Sequence, residues 1–197
     1  MLGVVLLVAV VSGVVVSALV SSLGPGSAVG AKVHDGLAEV RASAGGDAPV
    51  GRDDGLIPEG ALLTVNADHP AMTGLEPRLR AALRAATNDA ALEGQPLYVT
   101  TGWRSERYQA QLFEEARARY GSEEIARQFV APPELSTHLT GKAVDVGPLD
   151  AQLWLMEHGA AYGLCQTYAN ERWHFELAAE PGGSCPEMLP DASHLGR

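Results

Sequence analysis

Ser136-Thr137-His138-Leu139-Thr140-Gly141-Lys142-Ala143-Val144-Asp145-Val146 is the stretch on which the reading of this chain turns. It follows Pro132-Pro133, a pair that forces an extended loop because the residue before a proline is pushed out of the helical region. Gly141 permits a turn, and Ala143 to Val146 reads as a strand. The turn brings a loop histidine, His138, toward a strand carboxylate, Asp145. A second informative segment is Glu171-Arg172-Trp173-His174-Phe175-Glu176. Arg172 to Leu177 reads as another strand, so side chains alternate between its faces. His174 and Glu176 then share one face, while Trp173 and Phe175 on the other are expected to pack in the core. Glu176 either orients His174 from behind or faces solvent, and alternation does not choose between the two.

Working outward, Leu75, Leu79, Leu83, Ala86 and Ala90 recur at helical spacing with Arg78, Arg80 and Arg84 off the stripe. Gly94 and Pro96 end that helix. A strand over Leu97 to Thr101 runs into Gly102-Trp103-Arg104-Ser105, and Ser105 is a natural N-cap for a helix to Tyr120. The apolar face of that helix includes Tyr108, Leu112, Phe113 and Ala116. Gly121 closes it, Ser122 opens a shorter helix to Phe129, and Leu149 to His158 reads as a further helix. Helices mixed irregularly with short strands predict an α+β fold rather than a βαβ repeat.

The chemistry follows from residue types. Zinc in hydrolytic sites takes three protein ligands from His, Asp and Glu and keeps a position open for water. His138, Asp145 and His174 fit that rule, and Glu171 is left over as a carboxylate able to move protons as a general base. Spacing alone leaves the site open, since a histidine beside a glycine is often structural and acids pair with histidines by chance.

The ordered motifs Ser136-x-His138-x-x-Gly141-x-Ala143-x-Asp145 and Glu171-x-Trp173-His174 resemble the signature of the VanY-like D-alanyl-D-alanine carboxypeptidases, the M15 zinc metallopeptidases. Gly102-Trp103-Arg104-Ser105 resembles a third family element, with Trp in the aromatic place. The resemblance spans about Leu56 to Leu177. It implies a hedgehog/DD-peptidase-like α+β fold with a small antiparallel sheet flanked by helices. It also implies Zn2+ held by His138, Asp145 and His174, with Glu171 as catalytic base. Arg104 would face the substrate, where a guanidinium can anchor a carboxylate or stabilise an oxyanion. Ser136 and Gln111 are further candidates for substrate contact, beside their plainer readings as a turn residue and an exposed helix residue. His34, His69, His158 and His194 are read as bystanders.

The rest of the chain sets location. Residues 1–31 carry no charged side chain, and Leu2 to Leu23 is long and apolar enough for a membrane-spanning helix. Residues 1–23 are therefore read as a signal peptide or a transmembrane anchor, 24–55 as a flexible linker, and 56–190 as the zinc peptidase domain. Either form of the leader predicts an extracytoplasmic protein, secreted or anchored. In that oxidising setting the two cysteines, Cys165 and Cys185, are expected to form a disulfide. A net charge of −10 argues against nucleic acid, whose phosphates need clustered Lys and Arg. The resemblance implies a peptidoglycan stem peptide as the partner, trimmed of a terminal D-amino acid. The same site on different loops would serve an L,D-carboxypeptidase, a dipeptidase or a cross-bridge endopeptidase. A non-catalytic zinc-containing wall-binding module is the alternative from another class, and retention of Glu171 argues against it.

Overall fold

The computed structural model describes residues 48–195. In chain order these form helix α1 (Pro70–Thr73), α2 (Pro77–Leu92), strand β1 (Tyr98–Thr101), α3 (Glu106–Tyr120), α4 (Glu123–Ala126), β2 (Ala143–Gly147), α5 (Leu149–His158), β3 (Leu164–Gln166) and β4 (His174–Leu177). Short 3-10 segments lie at Arg52–Asp54, Gly159–Tyr162 and Ala192–His194. Residues 1–23, and the linker assignment up to Asp47, lie outside the described residues, as does His34. Among the described residues no helix is long and apolar enough to cross a membrane.

The four strands make one sheet in the order β1-β2-β4-β3, and each neighbouring pair is antiparallel. This is the small antiparallel sheet of an α+β fold. Every residue of β2 is buried, because the strand is paired on both edges and covered on both faces. Val144 and Val146 join Val99 and Phe175 in the apolar core, and strand alternation turns Asp145 to the opposite face. The register sets Asp145 directly across from His174. Residues so paired have Cβ atoms about 4.5–5.5 Å apart, so strand pairing alone brings two of the motif residues together.

The helices supply the other wall of that core. Leu79, Leu83, Ala86 and Ala90 of α2 are fully buried, as their spacing requires, while Arg78 and Arg84 are exposed. Removing a Leu side chain from water contributes about 1.5–3 kcal/mol, so this stripe fixes α2 against the sheet. α3 packs Phe113 and Ala116 against Ala126 of α4 in a smaller cluster. It starts where Ser105 Oγ accepts the Tyr108 N–H, and it stops at Gly121, which takes φ +69°.

The structure adjusts several sequence expectations. The described residues begin at Ala48, before Leu56. Asp54 is buried and accepts hydrogen bonds from Ser105 Oγ at 2.7 Å and Arg107 Nε at 2.6 Å, so the end of the 24–55 segment is packed on the start of α3. β3 is too short a run to show periodicity. β4 begins at His174, not Arg172, so alternation does not reach back to Trp173. That indole is 41% exposed instead of packed in the core, whereas Phe175 is fully buried as expected. Cys165 and Cys185 are joined in a disulfide, closing a 20-residue separation. A loop of that size is worth about 3 kcal/mol in the chain-entropy model.

Candidate active site

Three elements deliver the site. Asp145 comes from the central strand, His174 from the strand beside it, and His138 from the loop that precedes β2. That loop is pinned by backbone bonds from Lys142 N to Thr137 O at 3.0 Å and from Gly141 N to His138 O at 3.2 Å. Gly141 sits at φ +68°, and a Cβ there would lie 2.2 Å from Gly74 O, so the turn requires glycine on both counts. Gly102 is constrained by space alone, because a Cβ would come within 2.0 Å of Ala71 O.

Each imidazole is oriented by the bond on its far side. His138 Nδ1 lies 2.8 Å from Gly102 O, a group that only accepts, so Nδ1 carries the hydrogen and Nε2 is left with its lone pair. His174 Nε2 lies 2.9 Å from Glu176 Oε1, a carboxylate further held by Thr137 Oγ1 at 3.0 Å. His174 therefore presents Nδ1. Glu176 takes the orienting role that alternation left open. Between the rings, Asp145 Oδ2 accepts from Arg104 Nη2 at 3.1 Å, while Oδ1 is buried without a hydrogen bond. Oδ1 stands 3.2 Å from His174 Nδ1 and 3.5 Å from His138 Nε2.

The donor atoms of His138, Asp145 and His174 all lie within 4.8 Å of one another. Two lone-pair nitrogens and an orphaned carboxylate oxygen thus converge on one point, which is the arrangement a cation stabilises. The electrostatics agree. Burial resists ionisation of Asp145, but the positive groups beside it, His174 and Arg104, hold it well below the usual carboxylate range. Burial, helped by the Arg104 charge, keeps His138 neutral by lowering its pKa. Burial also opposes a charge on His174, but Asp145 and Glu176 outweigh it and push that imidazole up to about 9. Without a cation the site draws a proton to the atom a metal would take.

A cavity of about 190 Å³ opens over these residues, with Arg104, Ser136 and Glu171 in its lining. Glu171 Oε2 is 3.8 Å from His174 Nδ1, and burial is the main cause pushing its carboxyl up to about 7. Ser136 is buried in the wall. Gln111 is not part of it: this residue is exposed and donates to Glu115 Oε1 at 2.8 Å on the outer face of α3. Helical spacing explains the correction, because Gln109, Phe113 and Ala116 form the inward stripe, and Gln111 lies about 200° round the helix from Gln109.

Among the lining residues that escaped the sequence reading, Gln109 and Tyr168 touch the site residues themselves. Gln109 is 1% exposed, accepts from Arg104 Nη1 at 2.9 Å and donates to Ala131 O at 2.7 Å, so it fixes the guanidinium. Its one sequence signal is its place at i−4 from Phe113. Tyr168 is also buried, and its ring lies 4.9 Å from that of His174. Trp173 lines the cavity mouth instead of the core.

Comparison with known proteins places this geometry. The family model described as VanY, D-alanyl-D-alanine carboxypeptidase, matches residues 73–181, a span that contains all of His138, Asp145, Glu171 and His174. No curated protein matches the sequence. Among solved structures, the chain is similar to a mutant of the vancomycin-resistance D,D-pentapeptidase VanY from a VanB-type cassette, in complex with Zn(II). The identity is 23% over 62% of this chain and 79% of that one, with a TM-score of 0.51. VanYB in complex with D-alanine-D-alanine matches at 22% identity over 61% of this chain and 80% of that one, with a TM-score of 0.50. The LdcB LD-carboxypeptidase matches at 24% identity and a TM-score of 0.48 over 54% of this chain, which spans 60% of LdcB. At these identities the two VanY structures speak for the fold alone; the family match, over more than half the chain, speaks for descent. This chain belongs to the VanY family of D-alanyl-D-alanine carboxypeptidases.

Proposed function

We propose that this peptidoglycan peptidase is a zinc-dependent, extracytoplasmic D,D-carboxypeptidase that removes the terminal D-alanine of stem peptides. The observation that carries the reading is the convergence of His138 Nε2, His174 Nδ1 and the orphaned Asp145 Oδ1, with Glu171 beside them. His138, Asp145 and His174 would hold the ion. Zinc in such a site lowers the pKa of water toward about 7 and polarises a carbonyl.

The chain's own residues do the rest. Glu171, with its carboxyl near neutrality, takes a proton from the attacking water and returns it to the leaving amine. Arg104 spends one donor on Asp145 and one on Gln109, out of the five N–H donors of a guanidinium. The donors left over serve the substrate carboxylate or the developing oxyanion. Ser136 supports the substrate from the wall. Export is supported by the disulfide and by the family's cell-wall chemistry, with residues 1–23 acting as leader or membrane anchor.

The test is hydrolysis of a pentapeptide ending in D-Ala-D-Ala. Glu171→Gln lowers kcat by about 10²–10⁴-fold while zinc stoichiometry stays at parent level. Activity that survives both this substitution and a chelator refutes the mechanism. Cleavage only of an L,D bond redirects the specificity, and zinc binding without any hydrolysis points to a wall-binding module.

A further inference from the structure

The chain beyond the family match returns to the site. The match ends at residue 181, and Cys185 is then tied to Cys165 of β3. From there the tail reaches Leu189, whose N–H donates to Thr167 O at 2.9 Å and whose carbonyl accepts the Ala169 N–H at 2.8 Å. One tail residue thus grips Tyr168 from both sides in a parallel bridge. Tyr168 in turn packs its ring on His174 and accepts the Glu171 N–H at 3.2 Å. Past Leu189, Asp191 Oδ1 accepts the Ser193 N–H at 2.8 Å, and the turn it shapes buries Ala192 in the cavity wall.

Without the tail, the 167–171 turn would retain the Gln166 Nε2 bond to Tyr168 O at 2.7 Å, the Asn170 Nδ2 bond to Gln128 O at 2.8 Å, and the backbone bonds from Thr167 N–H to His174 O at 3.4 Å and from His174 N–H to Glu171 O at 3.2 Å. These hold the turn in the fold. The two backbone bonds tie the ends of the turn to β4, and the two Leu189 bonds add the hold on its middle, at Tyr168, because β3 ends at Gln166.

We propose that Pro186–Leu195 is a positioning strap: Leu189 holds the Tyr168–Glu171 turn, and with it the base and the His174 ring, while Ala192 limits how far substrate extends on that side. The substrate half of this statement rests on the peptidase reading above. The positioning half does not. Displacing a reacting group by about 1 Å can cost on the order of 100-fold in rate, so a strap that moves Glu171 acts on kcat.

Leu189→Pro tests it, because proline deletes the N–H donated to Thr167 and leaves the disulfide and the rest of the strap in place. The expected result is a kcat lower by about 10- to 100-fold, a thermal midpoint near that of the parent, and faster amide exchange at Ala169 and Glu171. Ala192→Leu should instead raise KM for the pentapeptide and leave kcat close to parent. A chain ended after Cys185 should combine both effects, and it decides the matter if Leu189→Pro does not fold. Parent-like kcat and KM in these variants, or losses no larger than the fraction unfolded, overturn the strap. If the parent chain cleaves no D-Ala-D-Ala peptide, the D,D reading fails instead. Exchange at Ala169 and Glu171 then decides the positioning role: faster exchange in Leu189→Pro supports it, and unchanged exchange refutes it.

Discussion

Glu176→Ala isolates the group that orients one proposed ligand without touching the ligands themselves. Glu176 Oε1 accepts from His174 Nε2 at 2.9 Å and from Thr137 Oγ1 at 3.0 Å. Deleting it leaves a buried imidazole N–H unpaired, releases the tautomer that presents Nδ1, and removes one negative charge near the site. Loss of such an outer partner costs about 10- to 100-fold in metal affinity, or about 1.4–2.8 kcal/mol. Glu176→Gln keeps an oxygen able to accept and loses only the charge, so its cost is smaller. The assay is zinc competition against a chromogenic chelator at neutral pH, with the thermal midpoint of each variant as a folding control. Zinc affinity equal to the parent's in a folded Glu176→Ala protein would refute the claim that His174 binds through Nδ1 with Glu176 behind it.

Zinc and a proton compete for His174. Its pKa is raised to about 9, so the imidazole is protonated at neutral pH and must release that proton to bind metal. Apparent zinc affinity therefore rises as pH climbs toward about 9 and levels off above it. Calorimetry in buffers of different ionisation enthalpy should read close to one proton released per ion at neutral pH; zero release contradicts the protonated state. Phe175 lies between His174 and Glu176 in sequence and faces the core with no exposure. Phe175→Ala should cost about 3–5 kcal/mol in urea unfolding, and a loss below about 1 kcal/mol would show that this inner face is not tightly packed.

What the sequence disclosed and what it hid follow from how each contact is made. The His138-to-Asp145 turn was legible because a glycine and a short strand sit between them, and Gly141 does occupy the left-handed conformation such a turn needs. The α2 stripe was legible because a helix repeats its face every few residues. Glu176 was half legible: alternation put it beside His174, but the Thr137 contact that holds it there comes from a loop 39 positions away. Gln109 was hidden because a buried glutamine looks like any helix glutamine until Arg104 and Ala131 are placed around it. Tyr168 and the strap were hidden for a stronger reason. Their contacts depend on a tail that the disulfide turns back toward β3, and no local pattern encodes that return.

Mass spectrometry of the products from a defined stem pentapeptide, with the protein zinc-loaded and then stripped by chelator, tests the central claim most directly. The account predicts loss of one terminal D-alanine, abolished by the chelator and restored by added zinc. Cleavage that persists in the metal-free protein, or no cleavage by folded protein carrying one zinc ion, would contradict it.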